Sequence, residues 1–460
     1  MGSQCRLENL RVLEPSRRIE DEAGYTELWD ENEEALTCAG LAFTRHVIRR
    51  NGLFLPSYSN SAELMYVVQV SLNFLHEIAC GITLYAQVEG LYGVTMPGCP
   101  ETYQSDESQF RGRQGTSERE GVKRFFGDRH QKVREIREGD IIAQIPDTAF
   151  WIHNKGQSDL VLISIIYTIN EQNQLDQNIR VSGNRQEGSQ GGRRHWTRGS
   201  QQETKYGNVV QGFDDELLQE TSDFESDLAR KEKGEDDKRG HTVEVREELQ
   251  IVHPIIEEGE GWEERERERG REMERGSSSR RGSSSQRQNG AEETLCSMRL
   301  RENIDNPERA DYYNPRAGRI TALNSFSLPI LSFLQLSAEK GVLYKDAVVA
   351  PRYYMNSHTL IYVLRGNARV QIAGDNGQSV FDGKLQENQV LVVPTSDNAI
   401  KNNLAGRLSV IRGLPEDVLV NSYGISRDDA RKLKYNREEL TVFSPASRSA
   451  RGLRRDDAAN

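Results

Sequence analysis

Residues 212–237 read GFDDELLQETSDFESDLARKEKGEDD, and residues 413–438 read GLPEDVLVNSYGISRDDARKLKYNRE. The two align without a gap at an offset of 201 residues. Leu218 meets Leu419, Asp227 meets Asp428, and Asp-x-Ala-Arg-Lys-x-Lys stands in both copies. In the first copy Leu217, Leu218, Phe224 and Leu228 give an apolar stripe, and Asp214 and Asp215 favour a helix N-terminus. Agreement of this kind marks an internal repeat. The chain therefore reads as one programme run twice, each time ending in a helical appendage.

Ahead of each appendage the text is strand. LAFTRHVIRRNGLFLP (41–56), ELMYVVQ (63–69), GLYGVTMPGCPETY (90–103), KVREI (132–136), DIIAQIP (140–146), AFWIHN (149–154) and LVLISIIYTI (160–169) are rich in β-branched and aromatic residues. Gly, Asn and Pro punctuate them. In the second run Ile330–Leu336, Val342–Ala350 and VLVVP (390–394) read as strands. GNARVQI (366–372) alternates, with Ala368, Val370 and Ile372 on one face. A short helix is compatible with Glu31–Leu36. Two many-stranded units of about 150 residues read as barrels or jelly rolls.

Between the halves lies a run of Glu, Arg, Ser and Gly, from about Glu257 to Gln288, that ends at Asn289-Gly290. Its acids and bases nearly cancel, so it reads as a solvated, disordered linker rather than an RNA-binding arm. Residues 181–205 are a second low-complexity linker. An exposed Asn-Gly bond is readily reached by a protease, and Cys296 follows seven residues on. This predicts a cleavable joint with a disulfide beside it. From Ala291 onward there are 23 Lys and Arg against 20 Asp and Glu, and before it 37 against 51. An acidic half joined to a mildly basic one fits assembly, whereas nucleic-acid binding needs a concentrated basic face.

With 35% hydrophobic and 28% charged residues, the 460-residue chain reads as folded domains diluted by charged inserts. No apolar run is long enough to span a bilayer. The N-terminal MGSQCRLENL carries no signal-peptide core. The chain is then either cytosolic or a secreted protein without its leader. Cys5, Cys38, Cys80, Cys99 and Cys296 form no CxxC pair, which points to dispersed disulfides with one thiol left over.

These segments resemble the 11S, legumin-type seed storage globulins, a family of two-cupin proteins. The resemblance rests on CRLENLRVLEPSRRIEDEAGYTELWD (5–30), GVTMPGCPETYQ (93–104), KVREIREGDIIAQIP (132–146) and GFDDELLQE (212–220). KRGHTVEV (238–245), NGAEETLC (289–296) and HTLIYVLRGNARVQI (358–372) extend it over nearly the whole chain. It implies a mainly β fold of two tandem cupin barrels. The domains would be an acidic chain, 1–253, a charged linker, 254–290, a basic chain, 291–445, and a flexible tail, 446–460. It also implies cleavage after Asn289 by an asparaginyl endopeptidase, a Cys5–Cys38 bond within the acidic chain, and a Cys99–Cys296 bond across the cut. Trimers would pair into hexamers with identical or homologous subunits in the protein storage vacuole, reached through the secretory pathway. No nucleic acid, membrane or cofactor partner is expected.

Cupin enzymes hold a metal through HxH, a glutamate and a third histidine. The eight histidines here, His46, His76, His130, His153, His195, His241, His253 and His358, include no HxH pair. The corresponding positions read LPSYSN (55–60) and APRYYM (350–355), and the third holds Phe150. Glu63 lies near the family glutamate, but one carboxylate is not a site. His358 reads as a structural or surface histidine, and Phe150 and Trp151 as core. No Ser/His/Asp pattern, phosphate loop or HExxH is present. The expected function is a reservoir; a metal-free cupin that holds a sugar or small hydrophobic ligand is the rival.

One segment fits neither reading. VSLNFLHEIACGITLYAQ (70–87) is apolar, poor in turn residues and interrupts a hairpin. Val70-Ser71 can be encoded as a splice donor and Gln87 as an acceptor, so the segment reads as a translated intron. The alternative is a true insertion that leaves Cys80 reduced.

Overall fold

A computed structural model describes residues 10–68 (except 31 and 59), 89–104 (except 102), 129–168, 179–181, and 206–251 with short gaps. It also describes residues 296 and 298–445, except 297, 354–356, 375–377 and 394–401. Cys5, Cys80, the segment 70–87, Asn289, Gly290, the linker 254–290 and the tail 446–460 lie outside the described residues.

In the first half the strands run β1 (Val12–Leu13), β2 (Arg17–Asp21), β3 (Gly24–Leu28), β4 (Leu41–Ile48), β5 (Gly52–Tyr58) and β6 (Ala62–Val68). Next come β7 (Glu89–Thr95), β8 (Tyr103–Gln104), β9 (Arg129–His130), β10 (Val133–Arg137), β11 (Asp140–Gln144), β12 (Ala149–Asn154) and β13 (Leu160–Tyr167). Then follow β14 (Ile179–Val181), β15 (Tyr206–Asn208) and β16 (Thr242–Glu244). Helix α1 (Glu34–Ala39) precedes β4, and α2 (Asp215–Ser222) and α3 (Ser226–Lys233) form the appendage.

The second half contains β17 (Arg301–Asn303), β18 (Tyr312–Asn314), β19 (Gly318–Leu323), β20 (Ala338–Leu343), β21 (Val348–Val349) and β22 (Arg352–Tyr353). It continues with β23 (Thr359–Tyr362), β24 (Asn367–Ala373), β25 (Ser379–Gln386), β26 (Val390–Val393), β27 (Asn402–Asn403) and β28 (Val442–Phe443). Its helices are α4 (Ile330–Leu334), α5 (Val410–Gly413), α6 (Glu416–Tyr423) and α7 (Arg427–Tyr435).

Two facing sheets make the first barrel. One has the order β17-β11-β6-β13-β4-β3-β2, and the other β10-β7-β12-β5-β14-β15, with β16 also on β5. The apolar run LVLISIIY becomes β13 because it pairs with β4 on one side and β6 on the other, leaving most of its residues buried. Such a strand wants apolar side chains nearly throughout. Leu162, Ile152, Ile142 and Tyr92 lie between the sheets with no more than 1% exposure. Burying an aliphatic side chain of this kind stabilises the fold by about 1.5–3 kcal/mol.

The two halves exchange their first strands. β1 leaves the first half to pair with β26, Val12 opposite Leu391. In return β17 pairs with β11, Asp140 opposite Asn303 and Ile142 opposite Arg301. The core follows the exchange: Leu300, Ile304, Ile330, Leu331 and Leu334 pack in one cluster with Met65, Ile136 and Ile142. Val390 and Val392 pack with Trp29, Leu36 and Phe43. Sheet membership therefore crosses the boundary between the halves at both first strands.

Three local expectations change. Ile330–Leu336 is not a strand: Pro329 leads into α4, whose Ile330, Leu331 and Leu334 are buried at helical spacing. Val342–Ala350 is not one strand, because Asp346 takes a left-handed φ of 61° and turns the chain between β20 and β21. The expected helix over 212–237 is two helices, α2 and α3, in contact with one another.

The second half repeats the broad order of the first, a hairpin, a short helix and then strands, up to β26 and then departs. In the first half β11 is followed by β12 and β13 before the appendage. In the second half only residues 394–401 separate β26 from β27. Among the described residues its sheets are the short sets β1-β26-β23, β18-β19-β20, β24-β25, β22-β27 and β21-β28.

Candidate functional site

The barrel interior is where a cupin would do chemistry. Glu63 lies there on β6, opposite Gln144 on β11 and Ile166 on β13. It is buried, and that burial pushes its carboxyl up to about 7; the Ser164 hydroxyl beside it opposes the shift. Tyr92 on β7 donates its hydroxyl to Gln144 Oε1 at 2.7 Å. Gln144 Nε2 in turn donates to the Thr148 carbonyl at 3.2 Å. Burial also raises the Tyr92 phenol well above its ordinary value, so it stays a neutral donor.

Phe150, expected from the sequence at the third cupin histidine position, is buried on β12. Its ring stacks on Phe54 at 5.8 Å between centroids, with Tyr92 at 6.4 Å. Aromatic packing thus fills the interior around Phe150. Among the described residues no group of three or more His, Cys, Asp or Glu could hold a metal ion. His358 is exposed in the second half. Among the described residues no helix is long and apolar enough to cross a membrane.

A buried cluster that neither composition nor motifs announce gathers around His46, His241 and Asp21. His46 on β4 lies between the hydroxyls of Thr26 and Thr44, 2.9 Å from Nδ1 and 3.1 Å from Nε2. Burial, with His241 nearby, drives its pKa down to about 3. Burial alone drives His241 to about 4. Asp21 accepts the backbone N–H of His241 at 3.1 Å. Burial raises its carboxyl to about 6 against the pull of the His241 and Thr242 donors. Alternation along each strand was the available signal: His46 sits at an inward position of an apolar run.

The expected joint is spanned by a covalent link. Cys99 follows β7 and Cys296 precedes β17; their sulfurs are bonded, with Cα atoms 5.5 Å apart. Gln131 clamps the Cys99 turn by donating Nε2 to the carbonyls of Met96 and Cys99, both at 2.9 Å. Cys38, on α1, is disulfide-bonded as well, while Cys5 lies outside the described residues. Polar contacts add to the link. Arg301 pairs with buried Asp140, and Lys340 reaches both Tyr66 and Asp305.

A small cavity of about 150 Å³ lies near that disulfide, lined by Gly93, Val94, His130, Lys132 and Trp151 among others. The half-buried Trp151 indole crosses the backbone of Gly93, where a Cβ would stand 2.2 Å from the ring. Trp151 is therefore a wall of this cavity rather than part of the sealed core.

Residues 10–185 and 302–397 match the Cupin family. The chain is 42% identical to 11S globulin seed storage protein Ana o 2.0101 of Anacardium occidentale, over 96% of this chain and 93% of that protein. It is also 42% identical to the 11S globulin subunit beta of Cucurbita maxima, over 97% of this chain and 90% of that protein. Among solved structures, pumpkin seed globulin superposes with a TM-score of 0.73 at 39% identity, covering 96% of this chain and all of that one. An 11S globulin from Wrightia tinctoria, described with an auxin binding site, superposes with a TM-score of 0.74 at 36% identity. That match covers 96% of this chain and 97% of the other. Two cupin segments, the exchanged first strands and this similarity along almost the whole length agree: the chain belongs to the 11S globulins, the seed storage proteins of the two-cupin family.

Proposed function

We propose that the chain is a nutrient reservoir without catalytic activity, cut after Asn289 by an asparaginyl endopeptidase into an acidic chain, 1–253 plus the linker 254–289, and a basic chain. The basic chain keeps the second cupin unit, 291–445, and the tail 446–460. The observation that carries this reading is the Cys99–Cys296 bond, which ties the two sides of the joint together. The exchanged strands β1 and β17 support it, because each product would keep a strand in the other's sheet. Cys38 would pair with Cys5. The sealed barrel interior agrees with a protein selected for packing rather than turnover.

Assembly into trimers and then hexamers is part of the same reading. It is supported by repeat-equivalent apolar residues left exposed on the appendages, Leu217 on α2 and Val418 on α6. Storage would take place in the seed's protein storage vacuole, after passage through the secretory pathway. The test is a gel of protein from mature seed. One band without reductant and two with it are expected; a single intact chain after reduction would sink the cleavage reading.

A second reading is favoured by the cavity beside Trp151. An indole face, Lys132 and His130 around about 150 Å³ suit a small aromatic carboxylate. A thermal-shift titration with indole-3-acetate tests it, with Lys132→Gln as the variant that removes the cation from the cavity wall. No shift in the parent protein excludes this ligand.

A further inference from the structure

Among the described residues, the second half has no counterpart of the strands that hold the first half together. In the first barrel β13 joins β4 to β6, and β12 joins β5 to β7. Their counterparts can be recognised by position. β23 pairs with the strand that receives an exchanged partner, as β6 does, and β20 follows a short helix, as β4 does. Among the described residues β20 pairs only with β19, β23 only with β26, and β24 only with β25. Residues 394–401 are too few to supply two strands of six and eight residues, since a strand advances only about 3.3 Å per residue.

Burial records the loss. Met65 and Val67 of β6 are buried, whereas Leu360, Ile361 and Tyr362 of β23 are only half-buried. β7 is buried along its centre, whereas β24 alternates exposed and half-buried residues. Leu343, Tyr344 and Val348 are exposed outright. A central strand leaves its sheet only by giving up two ladders; β20 and β23 give up one. Few buried apolar contacts and one-sided pairing define a unit that opens locally before the rest.

We propose that, among the paired strands, proteolysis of the folded chain starts in this half. An endopeptidase that takes its substrate as an extended strand engages β20 or β23 from the unpaired side, before the central strands β4, β6, β7 and β13 of the first barrel. Such enzymes bind through main-chain hydrogen bonds to a strand, and an open edge already presents them. Each cut adds one water across one peptide bond and leaves a carboxylate and an amine. The proposal gives stored protein an order of consumption; it rests on the storage reading for its purpose but not for its chemistry.

The test is limited chymotrypsin digestion of the purified full chain in its native assembly, followed in time by mass spectrometry. Among cuts within strands and their adjoining turns, those after Leu343, Tyr344, Leu360 or Tyr362 are expected at least tenfold faster than cuts after Tyr66, Tyr92 or Tyr167. Equal rates, or earlier cuts in the first barrel, overturn the proposal. Hydrogen exchange on the same sample needs no variant: amides of 359–362 are expected to exchange at least tenfold faster than those of 62–68, and equal protection overturns it. Replacing residues 394–401 by a second copy of residues 147–168 is expected to slow the cuts after Leu360 and Tyr362 at least tenfold. A folded replacement that leaves them unchanged also counts against it. Persistence of the protein through germination would sink the storage reading while leaving the order of cutting intact.

Discussion

Arg301 Nη1 lies 2.7 Å from Oδ2 of Asp140, a carboxylate with no exposed surface. The pair joins β17 of the second half to β11 of the first, and the same carboxylate accepts Asn303 Nδ2 at 2.9 Å and the Arg137 N–H at 2.9 Å. Both oxygens of the carboxylate thus accept at least one hydrogen bond. Removing one partner of such a pair strands a buried charge, at a cost of about 3–5 kcal/mol. Arg301→Ala is expected to lower the urea midpoint accordingly, read by tryptophan fluorescence. A loss below about 1 kcal/mol would show that the exchanged strand is held by packing alone.

The repeat and the first-barrel strands follow from patterns that are local or twofold, whereas the Cys99–Cys296 pairing is implied only by the resemblance to the 11S globulins. The errors fell where periodicity has too few residues to decide. Ile330–Leu334 offers five residues, and an apolar run that short fits a strand or a buried helix equally well. Its burial at Ile330, Leu331 and Leu334 settles the matter only once the core is seen. Val12–Leu13 cannot announce that its partner is Leu391, because pairing across the halves is a tertiary choice. The missing strands left no residues to read. They show only when β11 and β26 are set side by side and the chain after each is followed.

Glu63 provides a pH test of the barrel interior. Its folded pKa, about 7, stands above the ordinary glutamate value because burial penalises the charged form. Below about pH 4.5 the carboxyl is neutral in both states and costs nothing. As pH rises towards 7 and beyond, the unfolded chain releases its proton first, so stability falls. Glu63→Gln removes this term. The variant is expected to match the parent near pH 4 and exceed it by about 3 kcal/mol at pH 8. Guanidinium unfolding at the two pH values measures the difference; a constant offset would mean that Glu63 does not titrate in this range.

The histidine cluster runs the other way. His46 and His241 are neutral in the fold, with pKa values pushed by burial to about 3 and about 4. Below the ordinary histidine value the unfolded chain binds protons that the fold refuses, so stability drops as pH falls from about 6.5 to 4. Asp21, raised to about 6, opposes them over the lower part of this window because it keeps its proton longer in the fold. The neighbouring surfaces are Thr26 on β3, Thr44 on β4, Phe54 on β5 and Thr242 on β16. His46→Gln keeps a polar group between the two threonines and removes one titration. Its stability curve is expected to be flatter than the parent's by up to about 1.4 kcal/mol per pH unit between pH 6 and 4. Parallel curves would show that His46 is protonated alike in both states.

The proposed assembly makes a prediction about the appendages. α2 and α6 each have eight residues, too short to be stable alone, so tertiary packing must hold them. At repeat-equivalent positions Leu218 and Leu419 are buried within the chain, 7% and 0% exposed. Their neighbours Leu217 and Val418 are left outside at 44% and 43%. One apolar residue per helix therefore anchors the appendage, and the next faces outward in both halves. A contact between the first half of one subunit and the second half of the next uses two different surfaces, and a threefold rotation closes it into a ring. Placing a carboxylate at both outward positions buries charge at each such contact while leaving Leu218 and Leu419 in place. The double variant Leu217→Asp/Val418→Asp is expected to sediment as a monomer at micromolar concentration with an unchanged far-ultraviolet circular dichroism spectrum. A trimer that survives both substitutions would place the interface elsewhere on the two barrels.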